Sequence, residues 1–220
     1  MLNILFPKIC YGCKSMLLAG EKTICSKCIH SLPIAGFHKT GNEILKNQFY
    51  GRFLVKNATA IIYFQKRGLT QQLLHNLKYR GKEEISYFFG KWLGTELAEN
   101  TAFNNVDIVI PVPLHKQKLR KRGYNQVAGF GKEIATALNI PYRDDVLVKI
   151  SASNSQVFKN RILRYDKQEV FAVQNLDVIK NKHILLVDDI ITTGATLERC
   201  ATQLLKGKNV SISIATIAIA

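Results

Sequence analysis

Acidic residues are scarce in this chain: Asp and Glu number 16 against 31 Lys and Arg in 220 residues, for a formal charge of +15. Such an excess raises affinity for polyanions in general, so a phosphorylated metabolite, a nucleic acid and an anionic surface all remain open. No apolar run reaches membrane-spanning length, and the start lacks a basic segment followed by an apolar stretch and a small-residue cleavage site. These absences predict a cytoplasmic protein with no membrane insertion. Cysteine is sparse too: there are five, of which four fall within the first 28 residues.

What is present centres on HILLVDDIITTGATLERC, residues 183–200. Residues 183–187 form a short aliphatic run that reads as a strand, ended by Asp188 and Asp189. Thr192, Thr193, Gly194, Ala195 and Thr196 make a turn, and a helix follows to about residue 206. A helix start presents unpaired amides and a positive dipole end, and small hydroxyl residues around one Gly let the backbone close on a phosphate. Two carboxylates just before that loop disfavour a second phosphate but suit hydroxyl donors, so a 5-phosphorylated ribose fits both halves. Two rivals fall away. A receiver domain needs a phospho-accepting Asp downstream, but Glu198 is the sole acid after Asp189; a Walker A loop needs Lys after its Gly, but none follows Gly194 before Lys206. The plainer alternative is a buried strand and a helix capped by Thr193 or Thr196.

At the other end stand Cys10-x2-Cys13 and Cys25-x2-Cys28. Two thiolate knuckles complete the tetrahedral sulfur set that zinc prefers, ahead of two disulfides or four unconnected thiols. Four thiolates leave no open position, so this metal would be architectural. Pro7 and Gly12 suit the knuckle's turn, and Cys200 reads as a small buried apolar residue.

Between these ends, residues 30–56 read as a linker with one short helix near 42–49. Further along, the periodicity predicts a strand at 58–65, helices at 69–79 and 83–99, a strand at 106–112 and a helix at 125–138. Strands are also expected near 144–150, at 169–173 and, with alternating character, at 210–220. The strand–helix order from residue 106 implies parallel strands with ligands at their carboxyl ends. Lys116, Lys118, Arg120, Lys121 and Arg122 crowd a stretch that reads as a loop, and Lys159, Arg161, Arg164 and Lys167 form a second basic cluster. A mobile cationic loop beside a phosphate site could stabilise negative charge that accumulates there during a reaction. Both clusters can also be ordinary solvated surface. The basic turn after residue 77 likewise reads as helix-end charge.

LLVDDIITTGATL resembles the binding signature for phosphoribosyl diphosphate (PRPP) of the type I phosphoribosyltransferases. The order of the two Cys-x2-Cys pairs, LKYRGK, PVPLH, RKRGYNQ, Gln156 with Arg161, and this loop is similar to that of the ComF family, linked to competence and DNA uptake. The resemblance implies an α/β fold with a parallel sheet flanked by helices, of the type I phosphoribosyltransferase kind. It implies a zinc-binding module over residues 1–35 and a phosphoribosyltransferase-like domain over 36–220. Asp188 and Asp189 would contact the ribose hydroxyls and act in catalysis, residues 192–196 would wrap the 5′-phosphate, and residues 116–122 would close over pyrophosphate. Mg2+ would accompany PRPP. In SQVFKNRILRY, Arg161 and Arg164 are offset from the pattern of many relatives, and Tyr165 stands where Asn is expected. The alternative function is a non-enzymatic accessory factor of the DNA-uptake machinery that binds single-stranded DNA or other single-stranded nucleic acid.

Overall fold

A computed structural model describes residues 7–41, 43–150 and 170–220. Its strands are β1 (Ala58–Tyr63), β2 (Ile108–Pro111), β3 (Leu147–Ile150), β4 (Val170–Val173), β5 (His183–Ile191) and β6 (Ser211–Ile219). Its α-helices are α1 (Ser26–His30), α2 (Phe37–Thr40), α3 (Glu43–Asn47), α4 (Leu69–Tyr79), α5 (Glu84–Ala98), α6 (Lys116–Arg122), α7 (Ala128–Leu138) and α8 (Ala195–Leu204). The main sheet runs in the order β1-β6-β5-β2 with every pairing parallel. No helix among the described residues is long and apolar enough to cross a membrane.

Both faces of this sheet are covered, which is why its strands read as nearly continuous apolar runs. Leu185 and Val187 join Leu73 of α4, Phe89 of α5 and Phe130 of α7 in one buried cluster. Ile184 and Leu186 join Leu197 and Leu204 of α8 in the other. The alternation expected in the last strand is therefore not an inside–outside one. Even Ser213 and Thr216 of β6 are fully buried, with Ser213 Oγ 2.8 Å from His183 Nε2 and the Thr216 hydroxyl donating to the Ala218 carbonyl at 3.0 Å.

Four expectations need correction. The strand does not end at the acids: β5 continues through them to Ile191, because the long β6 keeps pairing, Asp188 with Thr216 and Ile191 with Ile219. Residues near 150 and 170 do not join the parallel sheet; β3 and β4 pair antiparallel in a separate ribbon. An antiparallel pair needs only a chain reversal, whereas a parallel one needs a crossover. The basic stretch expected to be a loop is helix α6. Its start is capped by His115 Nδ1, which accepts from the Gln117 amide at 3.2 Å, and its end by Gly123 in the left-handed region at φ 83. Arg120, Lys121 and Arg122 sit in its last turn, where positive charge favours the helix dipole.

Residues 30–56 are no linker. Phe37, Leu45, Phe49 and Val55 are buried in the same cluster as α8, and the Ala35 amide donates to the Ile61 carbonyl at 2.8 Å. Too few apolar residues at regular spacing mark so irregular a segment for periodicity to find it. The second basic cluster, Lys159, Arg161, Arg164 and Lys167, lies outside the described residues, as do Gln156 and Tyr165.

Candidate functional site

The pairing that extends β5 carries Asp188 and Asp189 into the interior, where they are 9% and 4% exposed. Successive strand side chains face opposite ways, so the two carboxylates address different spaces. Lys78, near the end of α4, places its Nζ 2.9 Å from Asp189 Oδ1. Asp189 Oδ2 is buried and has no hydrogen-bond partner among the described residues. Asp188 Oδ1 accepts the Asp189 amide at 2.8 Å. Burial, and after it the neighbouring Asp189 charge, pushes the Asp188 carboxyl up to about 8; the amide, Lys78 and Lys149 oppose this only in part. Among the described residues the site is thus short of positive charge, and one acceptor oxygen faces no donor. A ribose hydroxyl or a hard divalent cation would satisfy that oxygen.

The loop after β5 is held in shape from outside. Gly194 caps α8 at φ +75, and a Cβ there would lie 2.7 Å from Cε1 of the Phe49 ring, so both the backbone angle and the space require glycine. Arg52 Nη1 donates to the Thr193 carbonyl at 2.8 Å and lies 3.4 Å from Glu198 Oε2. The Ala195 amide reaches Thr193 Oγ1 at 3.4 Å, while Thr192 and Thr193 remain exposed and Thr196 half-buried. The first turn of the ten-residue α8 therefore opens onto an exposed hydroxyl-bearing loop, the arrangement that favours an anion.

The cations come from two motifs brought together. Lys118, Lys121 and Arg122 of α6 and Lys78 and Tyr79 of α4 line a cavity of about 370 Å3. Arg122 lies 5.2 Å over the Tyr79 ring and donates to Gln126 Oε1 at 2.7 Å. The Tyr124 hydroxyl donates to the Leu77 carbonyl. Lys116 and Arg120 are exposed on α6 and do not line this cavity. Sequence reasoning missed Lys78, read as helix-end charge, and it missed Arg52 and Phe49, read as linker. The run LKYRGK held a signal for the first; nothing local marked the other two.

The four N-terminal cysteines converge, with their sulfur atoms all within 4.8 Å of one another. Cys13 Sγ and Cys25 Sγ are 3.6 Å apart, and none of the five cysteines is in a disulfide. Thiolates on a tetrahedral zinc at about 2.3 Å would sit about 3.8 Å apart, so this cluster could hold that ion. Cys10 Sγ accepts the Gly12 amide at 3.3 Å and the Cys25 amide at 3.2 Å, which fixes its position in the cluster. The Ser15 hydroxyl and amide lower Cys13 to about 6, whereas burial raises Cys28. Gly12 is needed for space: a Cβ there would lie 2.6 Å from Leu69 Cδ1 of α4. Cys200 is buried against α8's core neighbours, as expected.

Residues 128–220 match the family model described as a phosphoribosyl transferase domain. The DNA utilization protein YhgH of Escherichia coli O157:H7 is 24% identical over 94% of this chain and 95% of its own length. The competence protein ComFC of Bacillus subtilis (strain 168) is 26% identical over 96% of this chain and 83% of its own. A purine phosphoribosyltransferase from Pyrococcus horikoshii superposes with a TM-score of 0.40 at 19% identity, covering 62% of this chain and 73% of that one. Residues 128–220 are thus similar to a phosphoribosyl transferase domain, and nearly the whole chain resembles the competence proteins of the ComF family.

Proposed function

We propose that this chain binds PRPP across β5 and the start of α8 and transfers its phosphoribosyl group to a nitrogen acceptor. The observation that carries this reading is Asp189, buried with one oxygen on Lys78 and the other lacking a partner among the described residues, beside an anion-favouring loop. Residues 192–196 hold the 5′-phosphate, and Asp188 and Asp189 orient the ribose hydroxyls. Lys78, Lys118, Lys121 and Arg122 face the diphosphate, and Lys116 and Arg120 add to the field around it. Mg2+ bound with PRPP supplies further neutralisation of the diphosphate charge. The acceptor's lone pair forms the bond to C1 as the C1–O bond breaks and its electrons leave with pyrophosphate. Positioning and charge stabilisation carry the acceleration.

In the same reading, Cys10, Cys13, Cys25 and Cys28 hold a structural Zn2+ in a module over residues 1–35, set before a transferase-like domain over 36–220. A reducing cytoplasm suits those thiols. A second reading, a non-enzymatic DNA-uptake factor that binds single-stranded nucleic acid, is favoured by the names that the curated relatives carry.

Calorimetric titration of PRPP with Mg2+ into the wild type and into Asp188→Asn and Asp189→Asn separates the two readings. Each substitution is expected to weaken binding by about 1.5–3 kcal/mol, the range for hydrogen bonds to a charged group. If the wild type takes up no PRPP while both variants bind DNA more tightly, the accessory reading replaces the transferase one.

A further inference from the structure

Arg52 reaches the phosphate loop from a turn far away in the chain, and the same turn carries Phe49. The turn follows α3 and is closed by the Arg52 and Phe53 amides, which donate to the Phe49 carbonyl at 3.0 and 3.3 Å. It sets the fully buried Phe49 ring against Gly194 and sends the Arg52 guanidinium to the neighbouring peptide.

The peptide between Thr193 and Gly194 is trans, so its carbonyl and its amide point in opposite directions. Arg52 Nη1 holds the Thr193 carbonyl at 2.8 Å, which turns the Gly194 N–H away from Arg52. Gly194 is buried, and among the described residues nothing accepts from its amide. Its left-handed conformation, φ 75 and ψ −1, is followed by the right-handed first residue of α8. Such a pair brings successive amides onto one concave face that suits an anion. Glycine, which that angle requires, also lets the peptide rotate at little steric cost. Without a hold on the carbonyl, the first of these amides would leave the set. The buried Asp189 Oδ2, with no partner among the described residues, is an independent sign that a ligand belongs beside this loop.

Glu198 supplies a rival anion in the first turn of α8. A carboxylate there is drawn to the same helix start as a phosphate and repels one. Arg52 Nη1 also lies 3.4 Å from Glu198 Oε2, and both side chains are 38% exposed. One guanidinium thus orients an amide and restrains the competing carboxylate.

We infer that Arg52 is a positioning residue of the phosphate site: it locks the 193–194 peptide so that its amide faces the bound phosphate, and it holds Glu198 off the start of α8. This inference rests on the phosphate reading of residues 192–196, and it makes the turn after α3 a working part of that site.

Calorimetric titration of ribose 5-phosphate into the full chain tests it. Arg52→Ala is expected to weaken binding roughly tenfold, the lower end for a lost hydrogen bond to a charged group. Its thermal melt should stay near that of the wild type, since a half-exposed ion pair contributes little to stability. Adding Glu198→Gln to Arg52→Ala should recover about fivefold, whereas Glu198→Gln alone should shift binding by less than about twofold, because Arg52 already restrains that carboxylate. A general loss of structure in Arg52→Ala would not be recovered in this way. In 1H–15N spectra of the wild type, the Gly194 amide proton should move downfield as ribose 5-phosphate is added. The inference is overturned if Arg52→Ala binds as the wild type does, if Glu198→Gln recovers nothing in that background, or if the Gly194 amide stays in place while the ligand binds. A wild type that takes up no ribose 5-phosphate would overturn the phosphate reading itself, and this inference with it.

Discussion

The cysteine cluster and the acid pair are both groups of side chains that turn negative on ionisation, and helix α4 touches both. Leu69 at its first residue lies against Gly12 of the knuckle, and Lys78 near its end reaches Asp189. They differ in what is left open. Four sulfurs converge, and two backbone amides already bond to Cys10, so a cation placed there would have its four coordination positions filled. The carboxylates lie on opposite faces of the strand, Asp189 pairs with Lys78, and Asp189 Oδ2 has no partner among the described residues, close to a lined cavity. A closed ligand set suits architecture and an open one suits an exchangeable ligand, and α4 contacts both.

The largest effect should come from opening the closed set. Cys10, Cys25 and Cys28 share a buried cluster with Leu73, Leu74 and Leu77 of α4. Cys25→Ser, or zinc removal by a chelator, is expected to cost several kcal/mol of stability, since structural zinc binding is largely folding free energy. It should also weaken PRPP binding through Lys78. Thermal melting alongside a zinc-release indicator reads both; an unchanged melt after complete metal removal would separate the two regions.

Next in size is Gly194→Ala. A side chain at φ +75 costs about 1–2 kcal/mol, and contact with Phe49 adds about 1–3 kcal/mol of overpacking. Urea denaturation should show that loss, with weaker binding of ribose 5-phosphate. Wild-type stability would mean that Phe49 does not brace the loop as described.

Smallest within any single pH unit is a downward slope of stability between about pH 4 and about pH 8, which of the two regions only the acid pair should show. Burial raises Asp188 to about 8 in the folded chain, against about 3.9 unfolded, so the folded state keeps a proton that the unfolded state releases. Stability from this group is complete below about pH 4 and falls as pH rises toward about pH 8, by up to about 1.4 kcal/mol per unit. Asp188→Asn should flatten that slope in urea titrations across this range. An identical slope in the variant would assign the dependence to another group.

Much of the site was legible because its chemistry is local. The strand, acid pair, glycine loop and helix are consecutive, and each element follows from its neighbours: aliphatic run, hydroxyl residues, helix start. The two Cys-x2-Cys pairs were legible for the same reason. Lys78 was harder, because a lysine near a helix end has an ordinary explanation, and what makes it special is a carboxylate 111 positions away in the chain. The basic helix α6 was mistaken for a loop because five like charges hide its pattern. The caps that build it, His115 and Gly123, mark its ends rather than its face.

By itself the sequence determined the elements of the parallel sheet, the thiol cluster and the residues around the phosphate loop, since hydrophobic period and motif spacing act over a few residues. Tertiary structure alone decided that Phe49 and Arg52 brace that loop and that Lys78 meets Asp189. It also decided how far β5 runs, because a strand extends as far as its neighbour offers hydrogen bonds, and that neighbour is β6. Contacts between distant segments depend on how whole elements pack, and no local pattern encodes them.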